Sequence, residues 1–393
     1  MKKFGLIGAG GYAATYVNNF LPKKESGKID FRGVVIRHPD KVPAMVERFN
    51  QAGVRIYPDK DSMYAENELD VVAIPSGIGS HCALTVDALE HGCNVIVEKP
   101  AAGSLAEVDR MIKEEKRTGK FVAVGFQHIH APDIRKLKRM LVNGDFGKIR
   151  RTAVMGRWPR ADKYYQRNNW VCKLRGANGE FIYDSPINNA FAHYLNLSLF
   201  LAGDGFEKSA HAAEMQSELY RARRGIETFD TCGVRLKTSS GTGVLCLFTH
   251  ACAEKVDPVL RIECEKAVIT WSEKTSWTAK FTDGTVIGSG INPTNGKAEM
   301  FDLLVERAEG GHPFMCTLQI AREQTFVIEN MHRNFEASEI PEGDFTVDPE
   351  DGQYAIGHIG EIFDQCFAQG KLPSEISVPW AKASEPVSLQ GKQ

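Results

Sequence analysis

A chain of 393 residues is too long for one compact core and implies two domains. Its 48 basic and 50 acidic side chains leave a formal charge of −2, and without a long basic run interleaved with aromatics nucleic acid is not an expected partner. Met1-Lys2-Lys3 runs into a short apolar strand rather than a long apolar leader, and no stretch reaches membrane-spanning length. The nine cysteines are scattered without a Cys-x-x-Cys pair, which fits reduced thiols in a cytoplasmic protein and predicts no metal site.

Lys3 to Ile7 predicts a strand; Gly8-Ala9-Gly10-Gly11-Tyr12-Ala13 follows, and then a helical run from Ala14 to Leu21. The hexapeptide has the G-x-G-x-x-A form of a dinucleotide cradle. Gly8 permits a tight turn, Gly10 lets the backbone approach a pyrophosphate, and Ala13 lets helix pack closely on strand. Phosphates would meet amide groups at the helix N-terminus, so Gly8, Gly10, Gly11, Tyr12 and Ala13 are candidate cofactor contacts. The next strand, Phe31 to Ile36, should end beside the adenosine ribose, where an NAD site usually offers a carboxylate. Arg37 and His38 stand there instead. A guanidinium suits the 2′-phosphate of NADP, whereas an arginine stacked on adenine leaves NAD in place; the expectation is NADP or NAD, leaning to NADP.

Leu69 to Ile74 reads as a strand, and Pro75-Ser76 leads into a helix from His81 to about His91, with small residues that leave room for a nicotinamide ribose. Gly92-Cys93 caps that helix and delivers the chain into Asn94 to Val97, a β-branched run. It stops at Glu98-Lys99-Pro100, because proline cannot continue a ladder. Ligands collect beyond the carboxyl ends of parallel strands, so Lys99 is placed to touch chemistry; an acid and a base that merely solvate a loop are the plainer alternative. Phe121 to Gly125 leads to Phe126-Gln127-His128, and Arg135 to Val142 predicts a helix ended by Asn143-Gly144. The alternation of strand and helix predicts an α/β Rossmann domain, a doubly wound parallel sheet, over residues 1–126. Pro75, Ser76, His81 and Gln127 join the candidate cofactor contacts.

Gly8-Ala9-Gly10-Gly11, Pro75-Ser76, Glu98-Lys99-Pro100 and Gly144-Asp145-Phe146-Gly147-Lys148-Ile149 occur in an order and spacing that resembles the glucose–fructose oxidoreductase, inositol dehydrogenase and rhizopine-catabolism (Gfo/Idh/MocA) family. The resemblance extends over nearly the whole chain and is densest in residues 1–205. It implies that Lys99 lies near nicotinamide and substrate and that Glu98 and Pro100 shape the cofactor site.

From Lys148 the pattern turns to β-rich stretches: Arg150 to Arg157, Thr231 to Lys237, Gly243 to Thr249, Leu260 to Glu263, Ala267 to Trp271 and Trp277 to Phe281. Short turns between several of them argue for an antiparallel meander, and the resemblance implies an α+β domain over 127–372 with a large open, mostly antiparallel sheet. The resemblance implies that the outer face of that sheet makes subunit contacts, hence a homo-oligomer, dimer or tetramer. Trp158 to Trp170 is rich in aromatics, arginine and amides, the groups a polyol or sugar site uses. Arg160, Tyr165, Asn169 and Trp170 are candidate substrate contacts; a loop that packs its tyrosines on the sheet is the alternative.

Ile187 to Ala202 predicts a helix ended by Gly203, with Asn189, His193 and Asn196 on one face. The resembling family carries a D-x-x-x-H pattern on this helix, its histidine exchanging a proton with the substrate hydroxyl, and His193 matches it. The aspartate position falls on Asn189, whose amide can bind a substrate oxygen but cannot raise the histidine's basicity. Asp184, in Asp184-Ser185-Pro186, could take over part of that task if the loop folds back, and a branch of the family reads Asp-Ser-Pro-x-Asn-Asn-Ala-x-Ala-His here. Lys99, His193, Asn189 and Asp184 are therefore the candidate catalytic residues.

In the tail, Lys297 to Arg307 and Cys316 to His332 predict helices that pack back on the first domain. Gly343 to Gln353 reads as an acidic loop, Tyr354 to Gln369 as a helix, and 373–393 as a C-terminal strap. The expected activity is that of an NAD(P)-dependent oxidoreductase acting on a secondary alcohol or ketone of a sugar, polyol or glycoside, without a metal. His193 would accept the hydroxyl proton, and Lys99 would stabilise the developing alkoxide. Two alternatives stand beside it: a redox-neutral glycosidase that keeps NAD(H) bound and works through transient oxidation and elimination, and a non-catalytic dinucleotide-binding sensor.

Overall fold

The computed structural model describes residues 1–391. Lys392 and Gln393, the end of the expected strap, lie outside the described residues. The chain divides into two compact units, one formed by Met1–His130 with Gly296–Arg322 and the other by Ala131–Asn295 with Glu323–Gln393. The boundary near residue 126 thus moves to His130, and a later segment belongs to the first unit.

The first unit holds a six-stranded parallel sheet: β1 (Lys2–Ile7), β2 (Ile29–Val35), β3 (Arg55–Tyr57), β4 (Val71–Ile74), β5 (Asn94–Val97) and β6 (Val122–Val124). The spatial order is β3-β2-β1-β4-β5-β6, so the direction of winding reverses beside β1, the place where open α/β sheets bind ligands. β4 is buried at every position and β5 at all but its first, as expected for strands covered on both faces. Edge-to-face aromatic pairs fill the core on one side: Phe20 lies 5.3 Å from Phe4 and 5.6 Å from Phe301 between ring centroids. Phe301 belongs to the Lys297–Ala308 helix, which does pack on the first unit.

The second unit carries one large sheet whose strands are β7 (Ile149–Arg157), β8 (Ala212–Arg221), β9 (Thr231–Thr238), β10 (Gly243–Thr249), β11 (Val256–Cys264), β12 (Ala267–Ser272), β13 (Ser276–Phe281), β14 (Val286–Gly288) and β15 (Ala337–Glu339). Most neighbours are antiparallel, but β7 pairs parallel with β10, and β15 parallel with β8. The long strand β8 is absent from the sequence reading. Three tail elements also differ from expectation. Phe345–Val347 (β16) and Tyr354–Ile356 (β17) form a small hairpin, so the last large helix begins only at Ile359. Val387–Ser388 (β18) pairs with β8. The predicted Cys316–His332 helix is observed as Leu318–Asn334, with its residues up to Arg322 grouped with the first unit and the rest with the second.

All nine cysteines are buried and unpaired. Among the described residues no helix is long and apolar enough to cross a membrane, and no group of three or more His, Cys, Asp or Glu side chains could hold a metal ion.

Candidate functional site

In the first unit the glycine turn folds for two separate reasons. Gly8 and Gly11 have φ of 106° and 57°, a region that favours glycine. Gly10 needs no such backbone, yet a Cβ built on it would meet nothing within 4 Å. The open space above Gly10 is therefore where a residue without a side chain matters only if a ligand comes close, and a pyrophosphate fits that requirement. Ala13, fully buried, starts the Ala13–Glu25 helix. Beside the turn lies a cavity of about 470 Å³ lined by Gly8, Gly10, Arg37, His38, Lys41, Asp59, Lys60, Asp61 and Ser76 among others. Gly8, Gly10, Arg37, His38 and Ser76 are thereby brought together.

Lys41, Asp59 and Lys60 are missing from the sequence reading. They follow the carboxyl ends of β2 and β3, and that position was the available signal; Arg55–Tyr57 is too short to announce itself as a strand. Asp59 is committed to its own helix, accepting from the Ser62 amide at 2.7 Å. Lys60 donates to Asp61 and Asp87, both at 2.7 Å. No acid sits at the end of β2, where Arg37 and His38 are exposed.

The carboxyl end of β5 is tied by a side chain to the helix that follows the glycine turn. Glu98, 5% exposed, accepts from the Tyr16 hydroxyl at 2.9 Å and from the Lys99 amide at 3.0 Å. Burial raises its carboxyl above the usual range, while the Lys99 charge and these two hydrogen bonds act in the opposite direction. Gly125 at the end of β6 leaves room for it, since a Cβ there would lie 2.7 Å from Glu98 Oε1. The Tyr12 hydroxyl donates to Gln127 Oε1 at 2.9 Å. Lys99 is half-buried, and the Lys99–Pro100 peptide bond is cis. Pro75 is buried next to Ser76, and the fully buried His81 reaches backbone oxygens of Ser76 and Pro100.

In the second unit the loop before the His193 helix does fold back. Asp184, 1% exposed, accepts from Asn189 Nδ2 at 2.7 Å and from the Cys172 amide at 2.6 Å. Cys172 and Tyr183 both hold positive φ, 53° and 51°, a strained backbone that clusters at functional sites. Asn188, also missed, anchors the turn: it donates to the Ile182 and Tyr183 carbonyls and accepts from Gln324 at 2.9 Å. One expectation is corrected. The helix begins at Ala192, not Ile187, so Asn189 lies in the preceding turn and does not share a helical face with His193. Side-chain bonds from Asn188 and Asn189 to the Tyr183–Asp184 segment outcompete early helix formation there.

The Trp158–Trp170 loop separates its candidates into two groups. Arg160 lies over the rings of Trp158 and Tyr164, at 5.7 and 4.8 Å, and Arg167 over Tyr164 and Trp170, at 3.7 and 5.5 Å. Tyr165 and Asn169 instead line a hollow of about 270 Å³ together with Arg223, whose guanidinium sits 4.0 Å from the Tyr165 ring centre. The buried His250, unassigned by sequence, donates from Nδ1 to the Trp158 carbonyl at 2.8 Å.

A parallel sheet that reverses its winding beside an open glycine turn has the form of a dinucleotide-binding Rossmann fold, and the second unit carries a large, mostly antiparallel sheet. Residues 2–126 match the model of an oxidoreductase family with an NAD-binding Rossmann fold, and residues 134–270 match the GFO/IDH/MocA C-terminal domain. The chain belongs to the Gfo/Idh/MocA oxidoreductase family. It is 28% identical over 190 residues to the D-glucoside 3-dehydrogenase of Escherichia coli (strain K12), covering 48% of this chain and 49% of that protein. It is 31% identical over 149 residues to an inositol 2-dehydrogenase of Acidothermus cellulolyticus, covering 37% of this chain and 42% of that protein. The matches thus span about half the length of these curated relatives or less. In fold it is similar to the WlbA dehydrogenase of Chromobacterium violaceum, solved with NADH and UDP-GlcNAcA, with a TM-score of 0.71 at 22% identity over 84% of this chain and 93% of that one.

Proposed function

We propose that this chain is an NAD(P)-dependent dehydrogenase or reductase that acts on a secondary alcohol or ketone of a sugar, polyol or glycoside. The observation that carries the reading is the unfilled space over Gly10 beside the cavity at the ends of β1, β2 and β4. The names of the relatives, a glucoside dehydrogenase and an inositol dehydrogenase, support the substrate class. When bound, the nicotinamide supplies the hydride acceptor or donor.

In this reading Lys99 holds the reacting hydroxyl and stabilises its developing negative charge. His193 takes the hydroxyl proton. Asn189 Nδ2 donates to Asp184; Asp184 is then a positioning residue that acts through Asn189. Arg160, Tyr165, Asn169 and Trp170 would bind the remaining hydroxyls of the substrate. NADP is favoured over NAD because Arg37 and Lys41 line the cavity while the nearby acids are engaged by the helix cap and by Lys60. The reading also takes the chain to be a homo-oligomer, which light scattering checks.

The test is cofactor reduction against a panel of sugars, inositols and glycosides, with NAD and NADP in parallel. Turnover of at least one such alcohol is expected. Tight dinucleotide binding without turnover of any would instead favour the sensor.

A further inference from the structure

β4 and β5 are parallel neighbours in register at Ile74 and Val97. Their ladder reaches Glu98, whose amide donates to the Ile74 carbonyl at 3.1 Å. Past that point the chain offers Pro75 on one side and Pro100 on the other, and neither has an N–H to give. The carbonyls of Ser76 and Pro100 are left facing the place where the ladder has stopped. His81, at the start of the His81–Glu90 helix and fully buried, stands between them: Nε2 lies 3.0 Å from the Ser76 oxygen and Nδ1 2.9 Å from the Pro100 oxygen.

We propose that His81 is a positioning residue that replaces the missing rung, holds the Ser76 and Pro100 loops at a fixed separation, and so sets the affinity for the nicotinamide half of the dinucleotide. This rests on the cofactor site proposed above. His81 is buried behind both loops and acts through them.

The arrangement has a built-in pH dependence. Two carbonyls call for two donors, and a neutral imidazole has only one N–H. Protonation supplies the second, while burial first and the Lys99 charge further down hold the ring below its ordinary pKa. The clamp is half made by the neutral ring and completed by the protonated one, and because the ring is held below its ordinary pKa, NAD affinity should rise only on acidification past the usual imidazole range.

Calorimetric titration with NAD and, separately, with AMP tests this on the wild type, His81→Leu and His81→Gln. AMP reports only the adenosine end. His81→Leu should weaken NAD binding about tenfold, the worth of one or two hydrogen bonds, and leave AMP within about twofold. His81→Gln, which keeps a donor, should recover part of the loss but lack the wild type's gain in NAD affinity on acidification. If His81→Leu does not fold, His81→Gln decides alone, with a loss of about threefold expected. NAD affinity within about twofold of wild type in His81→Gln, with the acid gain retained, overturns the assignment and leaves the cofactor site standing. A wild type that binds neither AMP nor NAD removes both.

Discussion

The glycine turn of the first unit and the Asp184–Asn189 turn of the second are built in opposite ways. The first presents mostly backbone at the ends of strands, beside an open cavity of about 470 Å³, and at its key position, Gly10, an added Cβ would meet nothing within 4 Å. The second is a knot of side chains: a buried carboxylate takes two hydrogen bonds, and an adjacent asparagine holds two carbonyls. A backbone cradle can be changed with little effect on folding because its partner is the ligand. A side-chain knot cannot, because each member is the solvation of another.

The sharpest contrast should appear in turnover. With a substrate in hand, Lys99→Ala and His193→Ala should each lower kcat by roughly 10²–10⁴-fold, the usual worth of a proton-transfer or charge-stabilising group, while leaving the melting temperature near that of wild type. Unchanged turnover in both would end their catalytic assignment. Asp184→Ala strikes the knot itself. It leaves the Cys172 amide and the Asn189 amide nitrogen without their acceptor in a buried site, and urea unfolding should register a loss of about 3 kcal/mol.

An acid titration sharpens the same comparison. His332 stacks on Tyr183 at 4.8 Å, its Nε2 is out of solvent without a partner, and burial lowers its pKa to about 4. Above about pH 6.5 both folded and unfolded states hold it neutral, so it contributes nothing to pH dependence. Between about 6.5 and 4 the unfolded chain takes up a proton that the folded one refuses, and stability falls by up to about 1.4 kcal/mol per pH unit. His332→Phe should flatten that slope; an unaltered slope would assign the acid loss to other groups. The smallest effect belongs to Arg37→Ala, expected to weaken NADP by about tenfold and NAD hardly at all. Equal effects on both would favour a guanidinium stacked on adenine.

Much of the first unit was legible because its signals are local. A β-branched run, a glycine hexapeptide and a proline stop each state their geometry without help from distant residues. In the second unit the informative contacts are remote in sequence. Strand β8 was missed because Glu214, Gln216 and Glu218 make it read as polar; the buried Glu218 accepts from the Tyr220 hydroxyl and from the amide and hydroxyl of Ser374, which comes from the C-terminal segment. Tyr354 to Ile356 reads as helix until Phe345 to Val347 supplies a partner strand. The start of the His193 helix moved because Asp184, Asn188 and Asn189 bond one another's neighbourhood, a competition that apolar periodicity does not register. His193 and the Asp184 turn were singled out through the family resemblance; the pairing of Asn189 with Asp184, rather than with the helix, required the structure.

The most direct test of the central claim, that the glycine turn binds a nicotinamide dinucleotide by its backbone, is calorimetric titration of wild type and Gly10→Val with NAD and NADP. Saturable binding to the wild type is expected, reduced at least about a hundredfold in Gly10→Val by loss of close approach, with the unfolding transition of the free protein unmoved. Binding that survives Gly10→Val, or no binding to the wild type at all, would contradict the account.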